Sequence, residues 1–156
     1  MPPAYVAVLG PGDAPAAVCE LAAEVGRLLA QRGAVVVCGG LGGVMEAAAR
    51  GAAQQGGLSL GILPGSDRAQ ANPHLTLALA SGLGELRNGL VVRASDAAIA
   101  IGGSWGTLSE VALARRAGLP VVWLQGWSVR GGDGVAVAGS AAEAVAAVFA
   151  RPPGAV

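Results

Sequence analysis

Apolar residues along this chain fall into two rhythms that take turns. Short unbroken runs come first: Tyr5 to Leu9, Ala34 to Cys38, Leu58 to Leu63, Ala97 to Ile101 and Pro120 to Leu124. Runs of this length, bounded by glycine or proline, predict strands buried on both faces. Between them the apolar positions recur at helical spacing. Val18, Leu21, Ala22, Val25, Leu28 and Leu29 trace one stripe, with Asp13 placed to cap the helix and Gly33 to close it. Further helices are predicted from Val44 to about Gln55, from Leu83 to Ala94, from Thr107 to Gly118 and from Ala141 to Ala150. Leu75 to Ala80 and Val135 to Val137 read as short strands, while Ser66 to Pro73 and Trp127 to Gly134 read as loops.

Strands that alternate with helices predict an α/β, Rossmann-like, doubly wound fold, with a mainly parallel sheet covered by helices on both faces. Residues 1–151 are expected to form one domain and residues 152–156, which contain Pro152, Pro153 and Gly154, a frayed tail. In such folds ligands bind outside the carboxyl ends of the strands. Three glycine-rich turns follow predicted strands here: Gly10-Pro11-Gly12, Gly39-Gly40-Leu41-Gly42-Gly43 and Gly102-Gly103-Ser104-Trp105-Gly106. A ligand can approach glycine backbone closely, and the amides that open a helix lack partners, so each turn is a candidate anion site. The first resembles the start of a dinucleotide fingerprint, but Pro15 stands where its third glycine would be.

The stretch from Asp96 to Glu110 organises the rest. Its strand, glycine turn and helix start would hold a phosphate on the backbone of Gly103 to Thr107. The same residues also fit a capping box, Thr107-Leu108-Ser109-Glu110, in which Thr107 caps the helix and Glu110 reaches back to it. Spacing alone leaves Glu110 as cap and Glu110 as site residue both open.

Composition narrows the chemistry. Ten basic and ten acidic residues cancel, and no basic stripe is present, so the electrostatic footprint of a nucleic-acid binder is missing. Every basic residue is arginine. Without lysine there can be no pyridoxal-phosphate Schiff base and no P-loop lysine, so that cofactor is excluded. His74 is the only histidine, which rules out a histidine cluster or a Ser-His-Asp triad, and no metal site is expected. Cys19 and Cys38 read as small core residues of a reducing compartment. The start of the chain lacks a signal-peptide pattern and no apolar run is long enough to span a bilayer, so the expected setting is the cytoplasm, away from membranes.

Few charges lie beside the turns. Glu46 falls in the first turn after Gly39–Gly43, where it favours the helix dipole and can pair with Arg50 at i,i+4. Arg87 reads as a solvated helix residue, Asp96 as a turn cap and His74 as a loop residue.

Three ordered motifs then carry a resemblance: Gly39-Gly40-Leu41-Gly42-Gly43-Val44-Met45-Glu46, Arg87-Asn88, and Ser95-Asp96 leading to Gly103-Ser104-Trp105-Gly106-Thr107-Leu108-Ser109-Glu110. Together they resemble the LONELY GUY-like Rossmann superfamily over nearly the whole chain. Its members were often labelled lysine decarboxylases, a label the absence of lysine contradicts here. In the phosphoribohydrolase branch an Arg and the Glu ending a Pro-Gly-Gly-x-Gly-Thr-x-x-Glu motif cleave the N-glycosidic bond of nucleoside 5′-monophosphates. The resemblance assigns those positions to Arg87 and Glu110. Gly102, Ser104, Asn88 and Glu46 depart from that branch, which has Pro, Gly, Lys and Gly there. They are closer to the branch containing the molybdenum cofactor carrier protein. That likeness implies a homo-oligomer, dimer or tetramer, binding a small phosphorylated nucleotide- or pterin-like ligand, with the molybdenum cofactor as one candidate. The expected ligand-binding residues are Gly10, Gly39, Gly40, Gly42, Gly43, Glu46, Gly103, Ser104, Trp105, Gly106 and Thr107, with Arg87 and Glu110 catalytic if the chain is a hydrolase.

Overall fold

The computed structural model of the chain describes residues 2–131 and 134–150. Seven strands make one sheet: β1 (Tyr5–Leu9), β2 (Val35–Cys38), β3 (Ser59–Leu63), β4 (Leu77–Ala80), β5 (Ala97–Ile101), β6 (Val121–Leu124) and β7 (Val135–Ala138). Their order across the sheet is β4-β3-β2-β1-β5-β6-β7, and every pairing is parallel. The predicted doubly wound α/β architecture is therefore what the chain adopts. The expected boundary at residue 151 and the expected frayed tail lie outside the described residues.

Among the described residues five α-helices cover the sheet: α1 (Ala16–Gln31), α2 (Val44–Gln54), α3 (Arg87–Arg93), α4 (Trp105–Arg116) and α5 (Ala141–Ala150). Alternation along the strands sorts the core into two layers. Val6 and Val8 of β1 face α1, α2 and α5, whereas Ala7 and Leu9 face α3 and α4. The continuous apolar runs follow from this, because both faces of the central strands are buried.

Helices α1 and α2 pack almost backbone to backbone. A Cβ at Gly51 would collide with the Ala23 carbonyl, and one at Gly26 would collide with the Ala48 carbonyl. This close approach fixes α2, and hence the turn that precedes it, against the β1 side of the sheet. The switch point lies between β1 and β5: connections from β1 run toward β4, and those from β5 run toward β7. The carboxyl ends of β2, β1 and β5 are neighbours, so the three glycine turns meet at one edge.

Several local expectations are corrected. Pro15, with no side-chain hydrogen bond, stands at the N-cap of α1, and Asp13 does not cap it. The helix expected over Leu83–Ala94 gives way to a 3-10 turn, Gly84–Leu86, followed by α3, since Gly84 holds a positive φ of 59° that a right-handed α-helix does not use. The strand expected from Leu75 begins at Leu77. Asp96 acts across the sheet: its Oδ2 accepts the Tyr5 N–H at 2.8 Å.

Candidate functional site

The turn between β5 and α4 begins at Gly102, whose φ of 73° is the left-handed conformation glycine tolerates. Its carbonyl accepts the indole N–H of buried Trp123 at 2.6 Å, which pins the turn from the β6 side. Ser104, not Thr107, is the N-cap of α4: its Oγ accepts the Thr107 N–H at 3.1 Å and lies 2.9 Å from Thr107 Oγ1. Helix α4 accordingly starts at Trp105, two residues before the sequence expectation. The amides of Gly103, Ser104, Trp105 and Gly106 donate to no acceptor among the described residues. No acidic residue occupies the first turn of α4. Gly106 is exposed, and a Cβ there would meet only Ser104 Oγ, at 3.8 Å.

The turn between β2 and α2 is built differently. Val44 N–H donates to the Pro11 carbonyl at 3.1 Å, so the first amide of α2 is already used to join this turn to the β1 turn. Gly10 and Gly43 sit where β1, α2 and β5 converge; a Cβ on Gly10 would be 2.7 Å from the Ile101 carbonyl. Asn72, buried, donates its side-chain N–H to the Leu41 carbonyl at 3.0 Å, and its backbone N–H donates to the Gly40 carbonyl at 3.0 Å. The loop after β3 thus straps Gly39–Gly43 in place. Glu46 pairs with His74, Oε1 to Nε2 at 3.8 Å, and forms no ion pair with Arg50 among the described residues. The structure consequently gives the solitary histidine a partner that spacing did not suggest.

Arg87 departs most from its sequence reading. It is buried, not solvated: its Nε–H donates to the Ile62 carbonyl at 2.9 Å, an Nη2 N–H reaches the Gly39 carbonyl at 3.4 Å, and Nη1 donates to Asn88 Oδ1. Its guanidinium therefore ties α3 to the carboxyl ends of β3 and β2. Glu110, on the sheet-facing side of α4, is also buried and does not reach back to the cap. Burial pushes its carboxyl up to about 7, against the nearby Arg87 charge, which draws it down. Cys38, at the end of β2, is a free and buried thiol that burial raises to about 11, opposed by a hydrogen bond from the Gly40 backbone and by Arg87.

The fold thus gathers the expected residues in two unlike groups: an amide nest at Gly103–Gly106, and a strapped turn with Glu46 at its mouth. Arg87 and Glu110 are buried close together at the same end of the sheet. Sequence reading missed Asn72, whose role depends on a contact 31 positions away, and Trp127, which packs on Gly103. Among the described residues no His, Cys, Asp and Glu cluster is suited to a metal ion, and no helix is long and apolar enough to cross a membrane.

The chain is similar to several known proteins. An uncharacterized protein of Archaeoglobus fulgidus is 41% identical over 120 residues, 77% of this chain and 79% of that one. The molybdenum cofactor binding protein of Rippkaea orientalis is 34% identical, with a TM-score of 0.91, over 96% of this chain and 98% of that one. The molybdenum cofactor carrier protein of Chlamydomonas reinhardtii is 31% identical with a TM-score of 0.86, again over 96% and 98%. DNA processing protein A of Helicobacter pylori, 24% identical over 78% of this chain and 65% of that one at a TM-score of 0.66, shares the fold alone. Residues 3–150 match the sequence model of the SLOG cluster4 family, and with nearly the whole chain covered, the protein belongs to that family.

Proposed function

We propose that this protein binds and carries a small phosphorylated ligand, nucleotide- or pterin-like, in the crevice between β1 and β5, as a cytoplasmic homo-oligomer. The observation that carries this reading is the row of amides from Gly103 to Gly106, without acceptors among the described residues, at the start of a helix free of acidic residues in its first turn. Such a nest favours a phosphate through both hydrogen bonds and the helix dipole. Thr107 closes the nest without contributing an amide, because Ser104 already takes its N–H.

The β2 turn is the poorer phosphate site. Its first helical amide is engaged by Pro11, and the Glu46 carboxylate would repel an anion. Glu46 instead suits a donor on the ligand, a hydroxyl or a ring N–H, as acidic groups near the end of a second strand do in dinucleotide folds. Likeness to proteins that bind or carry the molybdenum cofactor supports a pterin phosphate as cargo.

One observation favours a second reading, a nucleoside 5′-monophosphate phosphoribohydrolase. Glu110 and Arg87 are buried beside each other, and burial pushes the Glu110 carboxyl up to about 7, so a fraction is ionised at neutral pH to accept a proton from water. In that reaction water attacks C1′, the bond from C1′ to the base nitrogen breaks, Glu110 receives the water proton, and the departing base nitrogen takes up a proton from solvent, to which Glu110 then returns its own. Incubation with AMP, GMP, CMP and UMP, followed by chromatography for free base, separates the two. Stabilisation of the fold by these nucleotides without base release supports the carrier. Release that vanishes in Glu110→Gln supports the hydrolase.

A further inference from the structure

We infer that the anion nest carries an aromatic platform, Trp105 supported by Trp127, on which the flat heteroaromatic ring of the ligand stacks. The inference rests on the ligand-binding reading above and names the part of the ligand that reading leaves open.

The chain has only three tryptophans, with one tyrosine and one phenylalanine besides. All three tryptophans converge on the same turn. Trp123 holds the Gly102 carbonyl from beneath. Trp127 lies flush on Gly103, where any Cβ would strike its indole nitrogen. Trp105, the first residue of α4, meets Trp127 edge to face, with ring centroids 4.9 Å apart and an interplanar angle of 80°. Two of them have structural work that accounts for their burial or position; Trp105 does not. Its surface is 78% exposed, against 3% for Trp123, directly beside four amides that have no acceptor among the described residues.

A T-shaped contact covers at most one face of the Trp105 indole, and most of that residue's surface stays exposed. The T-shaped contact with Trp127 limits rotation of Trp105, so stacking a ring on it costs little further ordering. A ligand with a phosphate on Gly103–Gly106 and a planar base or pterin a few bonds away would satisfy both features. Sugar phosphates and inorganic phosphate would use only the nest.

The test compares ligands with and without a ring on the intact protein. Inorganic phosphate, ribose 5-phosphate, GMP and neopterin monophosphate are titrated by calorimetry, with tryptophan emission as a second readout. The expected result is that GMP or neopterin monophosphate binds at least about tenfold more tightly than ribose 5-phosphate and quenches tryptophan emission. Trp105→Leu then removes that advantage while changing ribose 5-phosphate affinity less than about twofold. Trp127→Phe, which retains a ring against Gly103, keeps part of it. Ring ligands that bind no better than ribose 5-phosphate would overturn the platform and leave the anion nest standing. Trp105→Leu that leaves ring-ligand affinity unchanged, or weakens all ligands alike, also overturns it. Failure of all four to bind the native protein overturns both the platform and the nest.

Discussion

Arg87 donates its Nε–H to the Ile62 carbonyl at 2.9 Å, fastening the first residue of α3 to β3 at the carboxyl end of the sheet. The guanidinium is buried and has carbonyl partners on both β3 and the β2 turn, so its removal leaves two acceptors unsatisfied. Arg87→Met is expected to lose about 2–3 kcal/mol of stability, read from the denaturant midpoint at constant slope. Arg87→Lys should recover only part, since a single ammonium cannot reproduce the planar fork. Wild-type stability in Arg87→Met would mean that the guanidinium matters only for ligand.

Glu110 predicts a pH dependence with a definite sign. Its carboxyl is raised from the ordinary 4.5 to about 7 in the folded protein, mainly by burial. The folded state thus holds a proton that the unfolded state releases, and stability falls as pH rises through that window, by on the order of 3 kcal/mol in total. Below pH 4.5 and above pH 7 this contribution stops changing. Glu110→Gln should flatten the fall between pH 5 and 7 in equilibrium unfolding. Parallel curves for the two proteins would show that Glu110 is not held as the structure places it.

Gly106 separates binding from folding. Its Cβ position is open, and a helical side chain leans toward the N-terminus, here over the free amides. Gly106→Val is expected to change stability by less than about 1 kcal/mol yet to remove phosphate-dependent thermal stabilisation. Retained stabilisation would move the anion site elsewhere.

Gly51 tests the close packing of α1 on α2. Helix propensity alone favours Gly51→Ala by about 1 kcal/mol. The clash of its Cβ with the Ala23 carbonyl should reverse that sign, giving a net loss of about 1–3 kcal/mol. A variant more stable than wild type would contradict the packing.

Much of the fold was legible because a parallel sheet buried on both faces writes itself as continuous apolar runs. Those runs predicted β1, β2, β3, β5 and β6 to within a residue or two at each end. The glycine turns were legible too, since each breaks the pattern between a strand and a helix. Local caps were less so. Thr107-x-x-Glu110 reads as a capping box, and Ser104 claimed the cap because the strand ends at Ile101 and the intervening turn is short.

By itself the sequence determined the α/β alternation, the three turns, and the exclusion of lysine- and histidine-cluster chemistry, all of which depend on residue type and on separations of a few positions. Only the tertiary structure decided which turn keeps its amides free, because that hinges on Pro11 meeting Val44. It also buried Arg87 and Glu110, paired His74 with Glu46, and brought the three tryptophans to one turn. Each of these joins residues from different strands or helices, and no local periodicity encodes which carbonyl or ring a side chain meets across a sheet.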